Sequence, residues 1–191
     1  MIDQQRFRDL MAGVCAPVTV VTACVDGRPS GATVSSFASL SLHPPLVSVA
    51  FDQGSALLRQ ILQAGRFAVN LLGHAQDELA MAFARRGTDR FDAVAWHYED
   101  GLPRLDGAAG WMVCDLYQTV AAGDHLLLFG LVRAASRTDQ APLIYAHRTF
   151  GTIRASRSAR EPRSPTPSPP APADPSRPYR IPPRRPSKET R

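Results

Sequence analysis

The sequence predicts a mainly β protein, an antiparallel barrel with accessory helices, on three observations. Short apolar runs rich in β-branched residues outnumber helical patterns. Successive runs are joined by turn signals such as Asp26-Gly27 and Gly123-Asp124, close enough for antiparallel neighbours. The third is a hydroxyl-rich stretch: Thr33, Ser35, Ser36, Ser39 and Ser41 crowd a segment that runs into Pro44-Pro45. A buried strand would alternate apolar and polar residues, whereas this row offers several donors at once and suits a bound phosphate or polyol.

Phe7, Leu10, Met11 and Val14 recur at three- and four-residue spacing and predict a short amphipathic helix before the barrel. Strands follow at 18–25, 30–37 and 46–51. A helix is expected over 55–64, because Ser55 is a good N-cap and Gly65 a good terminator. Residues 67–72 return to strand, and 76–86 read as a helix with Leu79, Ala80 and Phe83 on one face and Gly87 closing it. The segment 91–105 is polar and turn-rich, its Trp96 and Tyr98 packing on the core or on a substrate. Two long strands, 109–121 and 125–135, form a hairpin through Ala122-Gly123-Asp124, and Leu143, Ile144 and Tyr145 make a last short strand.

A chain of 191 residues suits one domain with a tail. Residues 154–191 carry ten Lys and Arg against Glu161, Asp174 and Glu189, a balance of +7, while the whole chain is +5, so residues 1–153 carry −2. A nucleic-acid reader concentrates basic residues on its folded face, so no nucleic-acid partner is expected. The tail also holds eleven of the seventeen prolines and almost nothing apolar. It is expected to be disordered with a polyproline-II bias. No run reaches the ~18 apolar residues of a membrane span. Met1 to Arg6 lacks the features of a secretory signal, so a cytoplasmic protein with no membrane partner is expected. Cys15, Cys24 and Cys114 are widely spaced and form no Cys-x-x-Cys pair, which argues against a disulfide framework or a zinc site and favours inert thiols. No Rossmann fingerprint, Walker loop, nucleophile elbow or His-Glu-x-x-His helix occurs.

Three separated motifs agree with one family. The strand Pro17-Val18-Thr19-Val20-Val21-Thr22 with the hydroxyl row behind it, the run Ala122-Gly123-Asp124-His125, and Pro142-Leu143-Ile144-Tyr145 with Arg148-Thr149-Phe150-Gly151 stand in the right order. Over about residues 5 to 153 the chain resembles the flavin reductase-like family of FMN-binding split barrels. Many members have Thr-Gly where this chain has Ala16-Pro17; a proline can open a strand, because its missing N–H costs nothing there. The resemblance implies an antiparallel split β-barrel at 1–153, followed by the basic tail at 154–191.

It also implies the site. Thr33, Val34, Ser35 and Ser36 correspond to the segment that holds the flavin, although such hydroxyls could equally face solvent. Asp52 and Ser55 sit where a strand meets a helix N-terminus, a place that favours an anion, and Ser55 can cap the helix, touch phosphate, or do both. Asn70, beside Leu71 in an apolar strand, needs a partner if buried, which a flavin edge would supply. Arg85 and Arg86 are similar to a phosphate-neutralising position, or form a solvated helix end. His125 lies where the family docks nicotinamide. Tyr145 and Arg148 complete a wall, or Tyr145 packs within its strand.

The implied activity is an NAD(P)H:flavin oxidoreductase. FMN or FAD is its flavin and NADH or NADPH its cosubstrate, hydride passes from nicotinamide C4 to flavin N5, and reduced flavin goes to a partner monooxygenase. A homodimer is implied as well. The rival readings are a non-enzymatic flavin-binding or electron-carrier protein of the same fold, and an interaction protein working through its Pro-rich tail.

Overall fold

In the computed structural model, which describes residues 2–85 and 90–153, twelve strands and three helices follow one another. In chain order these are α1 (Gln4–Ala12), β1 (Ala16–Pro17), β2 (Thr19–Val25), β3 (Arg28–Val34), β4 (Ala38–Leu42), β5 (Pro45–Asp52), α2 (Ala56–Ala64), β6 (Arg66–Leu71), α3 (Asp77–Ala84), β7 (Trp96–Glu99), β8 (Leu102–Leu105), β9 (Gly110–Ala122), β10 (His125–Arg137), β11 (Leu143–Ala146) and β12 (Thr149–Thr152). The mainly β, antiparallel architecture is as expected. The tail and Arg86 lie outside the described residues.

Seven strands form one antiparallel sheet in the order β3-β2-β6-β9-β10-β5-β4. β3 and β4 are consecutive in sequence yet stand at opposite edges. The sequence reading of one strand over 30–37 is therefore corrected: the row breaks after Val34, and residues 35–37 carry the chain from one edge of the sheet to the other. Ser36 spans that seam, its hydroxyl donating to Ala50 O at 2.9 Å and accepting from Ala50 N at 3.0 Å. Since Ala38 pairs with Ser48, antiparallel register places residue 36 opposite Ala50. Ser36 fills that place with its side chain instead of its backbone.

The apolar alternation of β2, β5 and β6 fills the interior, where Val21, Val49, Phe67 and Val69 pack against Leu57, Leu58 and Ile61 of α2. Ser55 caps α2, accepting from Leu58 N at 3.3 Å, and Gly65 ends it with φ +68°, a conformation that favours glycine. On the other side of the sheet Val18, Val20 and Leu72 pack with Ala80 and Phe83 of α3. β3 serves both layers. Its Ala32 and Val34 face the interior cluster, while a Cβ on Gly31 would meet the Phe83 ring at 2.9 Å, so only glycine lets α3 approach this closely.

The segment 91–105, read as turn-rich, contains the hairpin β7–β8. Trp96 and Tyr98 stack edge to face at 4.9 Å within a chain of rings that includes Phe83 and Phe91, so they pack on the core. β12 pairs with β11 and was not foreseen either. Of the cysteines, Cys114 is buried, and that burial pushes its thiol up to about 12; Cys15 is exposed. No helix among the described residues is long and apolar enough to cross a membrane. The hairpin β9–β10 reaches past the body of the sheet: β6 pairs β9 only as far as Asp115. Residues 118–122 are consequently exposed along an unpaired edge.

Candidate functional site

The expected residues fall into two groups that Thr33–Ser36 connects. At the first, the end of β5, the start of α2 and the β9–β10 turn are bound into one unit. Ser55 N donates to Asp52 O at 2.9 Å, Gln53 N to Asp124 O at 3.1 Å, and Gln53 Nε2 to Gly123 O at 3.1 Å. Asp52 and His125 are cross-strand partners. The Asp52 carboxylate accepts from Gly54 N at 2.7 Å, and Ser55 caps its helix. Capping is thus the contact Ser55 makes, and its oxygen stays only half-buried at the helix start.

His125 Nδ1 lies 2.7 Å from Asp124 Oδ1. This hydrogen bond and the imidazole's positive charge hold the Asp124 carboxyl below the usual carboxylate range. The ring is 43% exposed, with Nε2 available to a ligand. Ser36 is reached by crossing two strand spacings from β10 and moving two residues along β5. The separation between the two residues is therefore on the order of 12 Å, about the span of two polar anchors on one extended ligand.

The second group lies on α3. Thr33 Oγ1 donates to Ala80 O at 2.6 Å. Arg85 lines a groove of about 380 Å³ together with Asp77, Glu78, Met81, Ala82 and Phe150. Phe150 stacks on Tyr145 at 5.1 Å. Tyr145 packs in the α3 cluster and pairs across the ladder with Ala16, which gives it the strand-packing role. Arg148 is committed to Asp9 of α1 at 2.6 Å.

The hydroxyl row is largely occupied by the fold itself. Thr33 and Ser36 donate to backbone carbonyls, and Val34 turns into the core and offers only its backbone. Ser35 is exposed and makes no side-chain hydrogen bond among the described residues. It is a free donor of the row, as Ser39 and Ser41 are among the described residues. Asn70 is placed elsewhere. Fully buried, its Nδ2 donates to Val20 O at 3.2 Å and reaches Thr22 Oγ1, while its Oδ1 accepts from Leu105 N at 2.9 Å. The pairing that sequence reasoning assigned to a flavin edge is made by β2 and β8, because a buried amide takes the nearest backbone partners. Leu71 next to it is partly buried against the interior cluster.

Arg90 was missed. It sits in a turn with no motif of its own, yet its guanidinium reaches Gly31 O at 2.6 Å and Arg85 O. The adjacent Phe91, packed on Phe83, is the signal that fixes its backbone.

Comparison with known proteins identifies the family and the fold. The model of the flavin reductase like domain matches residues 11–154. A probable flavin reductase of Rhizobium meliloti (strain 1021) is 37% identical over 81% of this chain and 50% of its own length. Nitrilotriacetate monooxygenase component B from Mycobacterium thermoresistibile superposes with a TM-score of 0.78 at 31% identity, over 85% of this chain and 92% of that one. The NADH:FAD oxidoreductase SgcE6 of Streptomyces globisporus C-1027, in complex with NAD and FAD fragments, gives 0.76 at 29% identity over 82% and 95%. The chain belongs to the flavin reductase-like family, and its fold is that family's split barrel. It spans about half the length of the curated relatives it matches at 37% identity.

Proposed function

We propose that the chain is an NAD(P)H-dependent flavin reductase and that it supplies reduced flavin to a partner monooxygenase. The observation that carries this reading is the seam: the free Ser35 hydroxyl beside the Ser36–Ala50 clamp, with His125 across two strands. The donor set fits a flavin. Ser35 and the 34–36 backbone would hold its polar edge, and Arg85 in the α3 groove would neutralise its phosphate. Bound FMN or FAD would accept hydride at N5 from the C4 of NADH or NADPH, and in such enzymes the protein orients the two rings while the cofactor carries the chemistry.

Each residue then has a task. Ser35 fixes the edge of the flavin by donating a hydrogen bond. Ser36 holds Ser35 in place by locking residues 35–37 to β5. His125 positions the nicotinamide carboxamide through Nε2, oriented by Asp124 at Nδ1.

A homodimer belongs to the same proposal. The stripe Phe7, Leu10 and Met11 of α1, with Val14 just beyond its end, is 46–68% exposed, and no residue of that helix is buried. Leu40, Leu42, Tyr117 and Val120 are exposed too. Exposed apolar side chains of this kind are what a second copy of the chain would cover. The turnover test is direct. Protein mixed with NADH or NADPH and FMN or FAD consumes nicotinamide at 340 nm in at least one pairing. A carrier would retain flavin and leave nicotinamide untouched.

A further inference from the structure

β3 carries Thr33 and leads directly into Ser35, and it is an edge strand of the seven-stranded sheet. No neighbouring strand fixes its outer side. Two side chains do so instead: Thr33, through Ala80 O, and Arg90, through Gly31 O at 2.6 Å. The same guanidinium reaches Arg85 O at the end of α3. Arg90 therefore ties the strand that leads into Ser35 to the helix end that bears Arg85.

Among the described residues its charge has no counter-ion. The hydrogen-bonded partners of Arg90 are carbonyl oxygens, no carboxylate lies within salt-bridge distance among the described residues, and its Nε is buried without a partner. Arg85 likewise has no carboxylate partner among the described residues, although Asp77 and Glu78 line the other end of its groove. Two basic residues without a carboxylate partner among the described residues are thus linked at the end of α3, Arg90 through the Arg85 carbonyl.

We infer that Arg90 is a positioning and specificity residue, which favours a flavin with a phosphorylated ribityl chain over riboflavin by holding Arg85 and β3 together and adding its own charge. The inference rests on the flavin site proposed above. Two consequences separate charge from scaffolding. Loss of the charge weakens a phosphorylated flavin and spares riboflavin; loss of the planar fork with the charge kept weakens both alike.

The test is the dissociation constant of FMN and of riboflavin, read by flavin fluorescence in the full chain, for wild type, Arg90→Gln and Arg90→Lys, with near-UV circular dichroism confirming the fold. In Arg90→Gln, which loses fork and charge together, the FMN constant rises about 10- to 100-fold more than the riboflavin constant, which rises only as much as it does in Arg90→Lys. In Arg90→Lys the ratio of the two constants stays within about threefold of wild type. An equal loss for both flavins in Arg90→Gln, a ratio in Arg90→Lys as low as in Arg90→Gln, or an Arg90→Gln protein without native near-UV signal overturns the inference alone. A wild-type protein that binds neither flavin overturns the flavin site and this inference with it.

Discussion

The Ser36 hydroxyl occupies both backbone hydrogen-bonding groups of Ala50, donating to its oxygen at 2.9 Å and accepting from its nitrogen at 3.0 Å. One side chain therefore anchors the link between the two edge strands, β3 and β4, onto β5. The consequence reaches the site, because Ser35 is held by its neighbour's clamp.

Replacing Ser36 with Ala frees both groups of Ala50 at an exposed position, where water can take them. The expected loss of stability is only about 1 kcal/mol. The flavin constant rises by more, about tenfold, because residues 35–37 are no longer fixed. Urea melts paired with fluorescence titration check the two numbers, and equal flavin affinity in Ser36→Ala contradicts the role of the seam.

Asn70 predicts the reverse. Asn70→Ala leaves Leu105 N buried and unpaired and cuts the link between β8 and β2, for a loss of about 2 to 4 kcal/mol. Folded Asn70→Ala protein at low temperature binds flavin within about threefold of wild type, since the amide serves the sheet. Thermal melts and a flavin titration at 10 °C measure both.

Much of the fold was legible in the sequence. Ser55 and Gly65 bracket α2 because capping chemistry is local, and Asp26-Gly27 and Gly123-Asp124 mark hairpins for the same reason. The break in the hydroxyl row was not legible. It depends on β3 and β4 lying on opposite edges of the sheet, a long-range pairing that no window of residues encodes. Asn70 shows the same limit at the site. Its burial was readable from its apolar neighbours, but its partners come from β8, some 35 residues away. β7 and β8 were hidden by their charged faces, where Arg104 pairs with Glu99 at 2.5 Å.

The Asp124–His125 pair sets a pH dependence with a definite sign. The Asp124 carboxyl is held below its usual value by the hydrogen bond from His125. A lowered folded value means that the contribution of the pair is fully present above the ordinary carboxylate range and is lost as pH falls through the lowered value. A carboxyl carbon NMR titration places the Asp124 midpoint below that of a free aspartate, and His125→Ala raises it toward the free value. An identical midpoint in both proteins contradicts the pairing.

The exposed stripe of α1 predicts the assembly. Leu10 is the most exposed of its four apolar residues, at 68%. Leu10→Glu places a charge in the proposed interface and leaves the isolated chain unharmed, because the helix buries nothing there. Analytical ultracentrifugation shows a dimer for wild type and a shift to monomer of at least about tenfold in the dissociation constant for the variant. A wild-type monomer at working concentration rules the dimer out.

Anaerobic stopped-flow mixing of protein and saturating flavin with NADH or NADPH tests the central claim most directly, because flavin bleaching reports the hydride step itself. Wild-type protein bleaches one flavin equivalent per nicotinamide. In His125→Ala the bleaching slows or its nicotinamide dependence weakens by about 10- to 100-fold, with the flavin constant within about threefold of wild type. Absence of bleaching in wild type with every pairing of cofactors contradicts the reductase reading, and an unchanged rate and nicotinamide affinity in His125→Ala contradicts the placement of the nicotinamide site.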